Sequence, residues 1–538
     1  MWEALPVQEK EEYRKMILAF ASLSEMFAQK AEDGKTSSFV PIINSKYQET
    51  LFQKVFSAKA EDVGNTSYDV SLEKKLGDIT MRYLVGIKTF GIGSGYQKIA
   101  QFKGEVSNWS RLFAEIEKNC KDHNLKTKKE ISDFNREIYL QVALLVGKIR
   151  NMRIESSEAN AKGFDVEEDK EHLEKVYHVL MPSKKDEEPC VYVGETSYLP
   201  IDLDNIKILG CTTKPVNFEF TDGNHTYRFT FADSQLLMDF HNNEIVKDRW
   251  KVKYLDDPYS VFAEIANKLD NGQHSGTDIS SVHITEKLFE ETYSWKITNA
   301  SGEVERYSGF NAFYGVGSKL RSEQREKRIN SFREDFLDVV PHNILNEVYH
   351  DLLNYFAISV KNAEIRRRKE FIRNEMLEKV LSCGNKQFTE AFAKLVFRPM
   401  NELYIPLPNS RRFHEEHPDF FAAGAGRLEN HNGKLKLVSS KEERTFKMIF
   451  EPSGNELNCF ITQDVGKAIE SDEKQEYLGQ WLLRQVFRLG EYEPLTAKRL
   501  DELGINGIRL AKNSKTGNIH FNFIWIDDDD LPDDYIGN

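Results

Sequence analysis

The sequence predicts two unlike halves: an α/β N-terminal half built on a mixed sheet with helices, and a mainly β C-terminal half carrying a helical insertion. Three observations predict this. Amphipathic helical stretches alternate with short apolar runs up to about residue 185. Alternating apolar and polar residues dominate from Cys190 to about Leu255 and return beyond Trp295. A long charged stretch with helical spacing, Glu323 to Phe397, interrupts the second set of strands. The expected units are 1–185, a β-rich extension at 186–270, and 281–538 with the insertion at about 323–397.

In chain order, Pro6–Ala31 and Ser45–Ala58 read as amphipathic helices, the second with Leu51, Phe52, Val55 and Phe56 on one face. Ser67–Leu72 and Tyr83–Phe90 are strand candidates, the latter followed by the glycine-rich Gly91–Gly95. Tyr96–Phe113 reads as helical, as does Lys128–Arg150, and the polar stretch Glu155–Glu171 reads as a loop. Asp222-Gly223-Asn224 between alternating apolar runs predicts a hairpin turn. Asn271–Ser280 reads as an interdomain linker. Strands are expected again in WKITN and VERYSGFNAF and from Glu402 onward, with a helix at Asp472–Arg488.

The chain has 538 residues with 40% hydrophobic and 30% charged, enough to build sizeable cores in two or three domains. No apolar run reaches 18 residues, and Met1–Lys10 lacks an apolar signal region, so a cytoplasmic protein is expected. Five cysteines, none at C-x-x-C spacing, argue against a zinc knuckle. The net charge of -13 argues mildly against nucleic acid, but six of the eight residues Asp527–Asp534 are aspartates, and DNA senses a local basic face. Such a face could lie along Lys319, Arg321, Arg325, Lys327, Arg328, Arg333, Arg366, Arg367, Arg368, Lys369 and Arg373. Interleaved glutamates leave a solvated helix face as the other reading.

Metal-assisted phosphodiester hydrolysis needs carboxylates to hold Mg2+ and a cation or base beside the attacking water. Neighbouring strands can supply these groups, because residues i and i+2 of a strand face the same side. Residues 49–103 offer a helix with Glu49, a strand with Asp69, a strand with Lys88, then a stretch with Gln97 and Gln101 read as a helix. This order resembles the PD-(D/E)XK nuclease fold shared by many restriction enzymes. The resemblance implies Asp69 as a metal ligand and Lys88 as the group that stabilises developing charge or positions water. Gln101 would hold metal-bound water. One departure stands out: the second acid of the motif belongs two residues before the lysine, where this chain has Gly86. Glu49 is the preferred substitute as metal ligand, and Glu105 the alternative.

Other nuclease chemistries find less support. None of the thirteen histidines has a lysine two residues later, as an H-x-K nuclease requires. Val191–Thr196 is only a faint GIY-YIG half, His414-Glu-Glu-His417 is too short for a zinc H-E-x-x-H pair, and no P-loop is present.

Three C-terminal segments occur in order: Tyr307–Phe313 (YSGFNAF), Arg398–Pro408 (RPMNELYIPLP) with His417–Phe421 (HPDFF) downstream, and Ile461–Ile469 (ITQDVGKAI) followed by Tyr477–Arg484. Together they resemble the DNA-binding pseudobarrel domain of several restriction enzymes, related in fold to plant-transcription-factor domains, over roughly 283–526. The resemblance implies loop-bearing arms that enter the major groove, with Arg and Lys reaching guanine and Asn and Gln reaching adenine. Its candidates here are Ser308, Asn311, Lys319, Arg321, Arg411, Arg412, Gln463 and Lys467. Tyr404, Phe420, Phe421 and Trp481 read as core, and Gly309 and Gly466 as turn glycines. The expected function is that of a type II restriction endonuclease acting on double-stranded DNA. A non-catalytic DNA-binding protein with a decayed nuclease fold is the second reading, and an enzyme that reads modified bases the third. Cutting two strands needs two centres, which makes a homodimer an expected partner. A cognate methyltransferase is expected in the same system.

Overall fold

A computed structural model describes residues 1–27, 40–60, 67–76, 79–164, 171–270, 289–316, 322–472 and 475–537. The expected linker 271–280, Lys319 and Arg321 lie outside the described residues. The protein is mixed α/β with several sheets. The first part runs α1 (Val7–Ala21), α2 (Ser24–Phe27), α3 (Ser45–Phe56), β1 (Lys59–Ala60), β2 (Val70–Leu76), β3 (Ile79–Thr89) and β4 (Gln97–Gln101). It continues through α4 (Val106–Asp122), α5 (Lys128–Phe134), α6 (Arg136–Lys162), β5 (Glu171–Pro182) and β6 (Cys190–Ser197). Then come β7 (Lys207–Cys211), β8 (Phe218–Thr221), β9 (Thr226–Thr230), β10 (Gln235–Met238), β11 (Val246–Lys251) and α7 (Pro258–Asp270).

The first sheet has the order β1-β2-β3-β5-β6-β11. β2 and β3 are an antiparallel pair, and β5 returns parallel to β3 after α4, α5 and α6. Strand alternation gives this sheet two dressed faces. Val70, Leu72, Tyr83, Val85 and Ile87 pack with Trp2, Tyr13, Leu51, Phe52 and Phe56 of the N-terminal helices. Leu84, Tyr177 and Val179 pack on the other side with Val142, Val146 and Ile149 of α6. A second, five-stranded sheet, β4-β10-β9-β8-β7, closes over that helix layer. The Asp222 turn joins β8 to β9 as expected: its Oδ1 accepts from the backbone N–H of Asn224 and His225, and Gly223 has φ +89°.

The C-terminal half continues with β12 (Phe289–Lys296), α8 (Ser322–Asp335), α9 (His342–Ala357), α10 (Ala363–Ser382), α11 (Lys386–Val396), β13 (Ile405–Pro406) and α12 (Ser410–Glu416). Next are β14 (Leu428–His431), β15 (Lys434–Leu437), β16 (Thr445–Phe450), β17 (Asn455–Ile461), α13 (Gln463–Gly466), β18 (Ala468–Ser471) and α14 (Gln475–Gly479). α15 (Ala497–Leu503), β19 (Gly507–Asn513) and β20 (Ile519–Ile524) complete the chain. Its main sheet is β12-β19-β20-β16-β17-β18-β13, with β14 and β15 apart as a hairpin. The four helices α8–α11 share one core with this sheet through Phe332, Leu345, Tyr355, Met376 and Phe392.

Four expectations need correction. Gln97–Gln101 is not helical: it is strand β4, paired with β10, because the alternating residues of QKIAQ complete the edge of the second sheet. Glu155–Glu171 is not a loop throughout, since α6 runs to Lys162. Its small residues Ser156 and Ala159 are buried against the C-terminal half, where Ser156 Oγ donates to the carbonyl of Val486 and Trp481 Nε1 to that of Ala159. SGFNAF is no strand: Gly309–Tyr314 forms a 3-10 turn, opened by Gly309 at φ +57°. The basic run is not one solvated face. Arg373 is fully buried, donating to the carbonyls of Tyr314 and Gly315, and Lys369 is buried over the Tyr355 ring. Lys327, Arg328, Arg366, Arg367 and Arg368 are exposed.

Candidate active site and nucleic-acid interface

The register of two strands brings Asp69 and Lys88 together. Val70 pairs with Val85, and the Asp69 N–H donates to the Val85 carbonyl at 2.9 Å, so Asp69 stands across from Gly86. Lys88 is two residues further along β3 and therefore on the same face. The Asp69 carboxylate accepts from the Ile87 N–H, which aims it along β3, and Lys88 Nζ lies 3.9 Å from Asp69 Oδ2. Both side chains keep about a quarter to a third of their surface, 24% and 31%, so the pair is neither buried nor freely solvated.

Gly86 explains the missing acid. A Cβ there would stand 2.9 Å from Tyr177 Cδ1 and 3.0 Å from Tyr198 Cε2, closer than side-chain carbons pack. Tyr177 is the direct partner of Gly86 on β5. Its ring stacks on Tyr198 at 4.1 Å, and Tyr68 lies against Tyr198 at 4.8 Å. Arg150 of α6 donates to the Tyr177 hydroxyl and the Leu199 carbonyl. Burial pushes all three phenols well above the usual tyrosine range, so they remain neutral. The centre is thus a carboxylate and an ammonium on a floor of tyrosines over a buried guanidinium. Sequence reasoning missed Tyr68, Tyr177, Tyr198 and Arg150, whose only signal was Tyr177 and Arg150 within otherwise apolar runs.

The other candidates of the N-terminal half sit elsewhere. Glu49 is on α3, a helix whose apolar side packs on the opposite face of the sheet, and its carboxylate pairs with Lys46 at 2.8 Å. Gln101 ends β4, a strand and not the helix the resemblance implies, with its Nε2 donating to the carbonyl of Asp233. Glu105 directly precedes α4 and is buried near Arg153 and Asp501; burial, then the Glu105 charge, push the Asp501 carboxyl up. Among the described residues no group of three or more His, Cys, Asp or Glu side chains is arranged to hold a metal.

In the C-terminal half, three of the resembling segments converge on the short ladder of β13 and β18. Ile405 pairs with Ile469, the Leu407 N–H donates to the Lys467 carbonyl, and the Tyr404 N–H donates to the Gly309 carbonyl. α12 stands beside the turn before β18, held by His414 Nε2 at 3.2 Å from the Gly466 carbonyl oxygen. Only glycine fits at 466: φ is +63°, and a Cβ would lie 2.1 Å from His414 Nε2. Around this ladder Ser308, Arg411, Arg412 and Lys467 are exposed. Arg411 and Arg412 pair with Glu415 and Glu416 one helical turn on, exposed contacts of small strength.

Asn311 is a correction. It is fully buried, its Nδ2 donating to the carbonyls of Glu305 and Leu495 and its Oδ1 accepting from the Leu495 N–H. Both donors are used and the side chain is closed off from solvent, so it does not reach a base; its work is to tie the 3-10 turn to the segment before α15. Gln463 lies in the α13 turn, and its side chain is outside the described set.

Comparison with known protein families and with curated proteins finds no match for this chain. All five cysteines are free, and among the described residues no helix is long and apolar enough to cross a membrane.

Proposed function

We propose that the chain is a sequence-specific endonuclease that hydrolyses phosphodiester bonds of duplex DNA with Mg2+, of the type II restriction class. In this reading the N-terminal half is a PD-(D/E)XK-like cutting unit and the C-terminal half a pseudobarrel-like reader. The observation that carries it is the Asp69–Lys88 pair, made by strand register across Gly86 and left partly exposed. Lys88 would approach a non-bridging phosphate oxygen, or the attacking water, and oppose the charge that develops there. Mg2+ binds nucleic-acid sites through one or two carboxylates together with phosphate oxygens of the substrate, so the single carboxylate of Asp69 is a workable protein ligand. When bound, the ion would supply charge neutralisation at the scissile phosphate. Glu49, paired with Lys46, is not needed for this arrangement.

The exposed Arg411, Arg412, Lys467 and Ser308 support duplex binding at the β13–β18 ladder, where cations would contact phosphates or guanine edges. Duplex DNA is the proposed partner, with a homodimer for two-strand cutting and a cognate methyltransferase in the same system. One observation favours the second reading, a DNA-binding protein that does not cut: the tyrosine pair that closes the position of the second acid at Gly86.

Plasmid digestion with Mg2+ separates the two. The wild-type chain is expected to cut at fixed positions, and Asp69→Ala and Lys88→Ala to abolish cutting while retaining binding. Cutting that survives in both variants removes this centre. A wild-type chain that binds DNA specifically without cutting establishes the second reading.

A further inference from the structure

A cavity of about 620 Å³ opens beside the β13–β18 ladder. Its wall is unlike the basic surface next to it. Glu402, Glu470 and Glu476 bring carboxylates, Tyr404 and Phe460 bring rings, and Lys441 sits at the edge. Glu402 is 9% exposed and is fixed by Arg398 and by the Tyr404 hydroxyl. Lys441 Nζ lies 4.3 Å from the centre of the Phe460 ring and pairs with Asp472 at 2.5 Å. The cavity and the exposed cations share a ladder. Lys467 directly precedes β18, and Glu470 is the third residue of that strand. Tyr404 directly precedes β13, and Arg411 and Arg412 follow it on α12.

We infer that this cavity receives a single nucleobase turned out of the duplex, of the class that carries an exocyclic amino group: cytosine, adenine or guanine. The inference rests on the reading of the C-terminal half as a duplex binder and goes beyond groove recognition. Three features of the wall fit such a guest. Ring faces stack on any base. Carboxylates only accept hydrogen bonds at neutral pH, so they favour bases that present an amino group, as cytosine does at N4, over thymine, which offers one ring N–H flanked by two carbonyls. The rim carries a cation, Lys441, that can turn from Asp472 to the phosphate of the displaced nucleotide. The spacing of the cavity from Lys467 suits a site that holds the backbone with one group and takes the base with another. A duplex lying along the exposed arginines gains nothing from carboxylates in its path unless a donor reaches them.

The test uses the full chain and short duplexes of one sequence that carry a single unpaired cytosine, adenine, thymine or an abasic site. Binding is followed by fluorescence anisotropy without divalent metal, so that the DNA stays intact. An unpaired base costs least to turn out. The unpaired cytosine and adenine duplexes are expected to bind about tenfold tighter than the thymine and abasic duplexes. Glu470→Gln and Phe460→Ala are expected to remove that difference. Should either variant melt at a clearly lower temperature, the exposed Glu476→Gln supplies the same readout without a packing change. Equal affinity for all four duplexes, or a preference that survives in every variant, overturns the inference while leaving duplex binding standing. Failure to bind any duplex overturns the reading of the C-terminal half as well.

Discussion

Burial of His178 predicts an acid-sensitive N-terminal half. His178 lies on β5 with its ring fully buried, stacked on Trp2 at 5.3 Å and packed against Tyr13 and Phe52. Its Nε2 meets the Tyr13 hydroxyl at 3.3 Å, and burial lowers its pKa from 6.5 to about 3. Above pH 6.5 the ring is neutral whether the chain is folded or unfolded, and it has no effect on stability. As pH falls below 6.5 the unfolded chain takes up a proton that the folded chain refuses, so stability drops by about 1.4 kcal/mol per pH unit until pH approaches 3. At pH 5 the loss is about 2 kcal/mol. The full span corresponds to about 5 kcal/mol, an upper figure for a ring whose surroundings can relax. His178→Phe keeps an aromatic ring in the cluster and removes the proton site; its loss of the Tyr13 contact is a constant offset at every pH. Urea unfolding of both chains from pH 7.5 to pH 5, followed by tryptophan emission, isolates the histidine from every other titrating group. The wild type is expected to lose about 2 kcal/mol more than His178→Phe over that range. Parallel curves would show that the folded ring takes up its proton normally, and would refute the argument from burial.

Three further outcomes follow from contacts already described. Gly86→Ala forces a methyl group against Tyr177 and Tyr198, and should lower stability by about 1–3 kcal/mol; combining it with Tyr198→Ala should recover part of that loss in urea unfolding. Asn311→Ala strands the N–H and carbonyl of Leu495, and should cost about 3 kcal/mol in thermal melting while leaving the DNA sequence preference of the folded fraction unchanged. Arg411→Ala with Arg412→Ala should weaken binding to all duplexes and reduce the salt slope of log K by about 2, read from anisotropy titrations at several salt concentrations; an unchanged slope would place the phosphate contacts elsewhere.

Local pattern was legible where one element decides its own shape. The helix Ser45–Phe56, the strand pair leading to Thr89 and the Asp222 turn follow from apolar spacing and from an Asx side chain that caps its own turn. Legibility failed where a partner decides. QKIAQ is short enough for either state, and only β10 beside it makes it a strand. The end of α6 looked like a linker because its buried residues are serine and alanine, which carry no hydrophobic signal but allow Trp481 and Val486 to approach closely. Asn311 matched a base-reading residue in type and position, yet a residue 184 positions away in sequence takes both ends of its amide. The same holds for Arg373, charged in sequence and buried in fact, its guanidinium held between the Tyr314 and Phe397 rings.

The candidate centre divides along the same line. The resemblance to the PD-(D/E)XK order joins Asp69 and Lys88 in the sequence, and the local antiparallel register of β2 and β3 brings them together. The absence of an acid at Gly86 was visible, but its cause was not, since that cause is the parallel pairing of β3 with β5, across a crossover of some eighty residues. A glycine in a central strand weakens the strand unless something uses the space. Here two stacked tyrosines use it, and a buried arginine fixes one of them. Restoring the acid alone would therefore collide with the rings rather than complete a second ligand. The geometry couples the vacancy at Gly86 to Tyr177, Tyr198 and Arg150 as one unit. A change at Gly86 without changes at the tyrosines is disfavoured by packing, whatever chemistry the site performs.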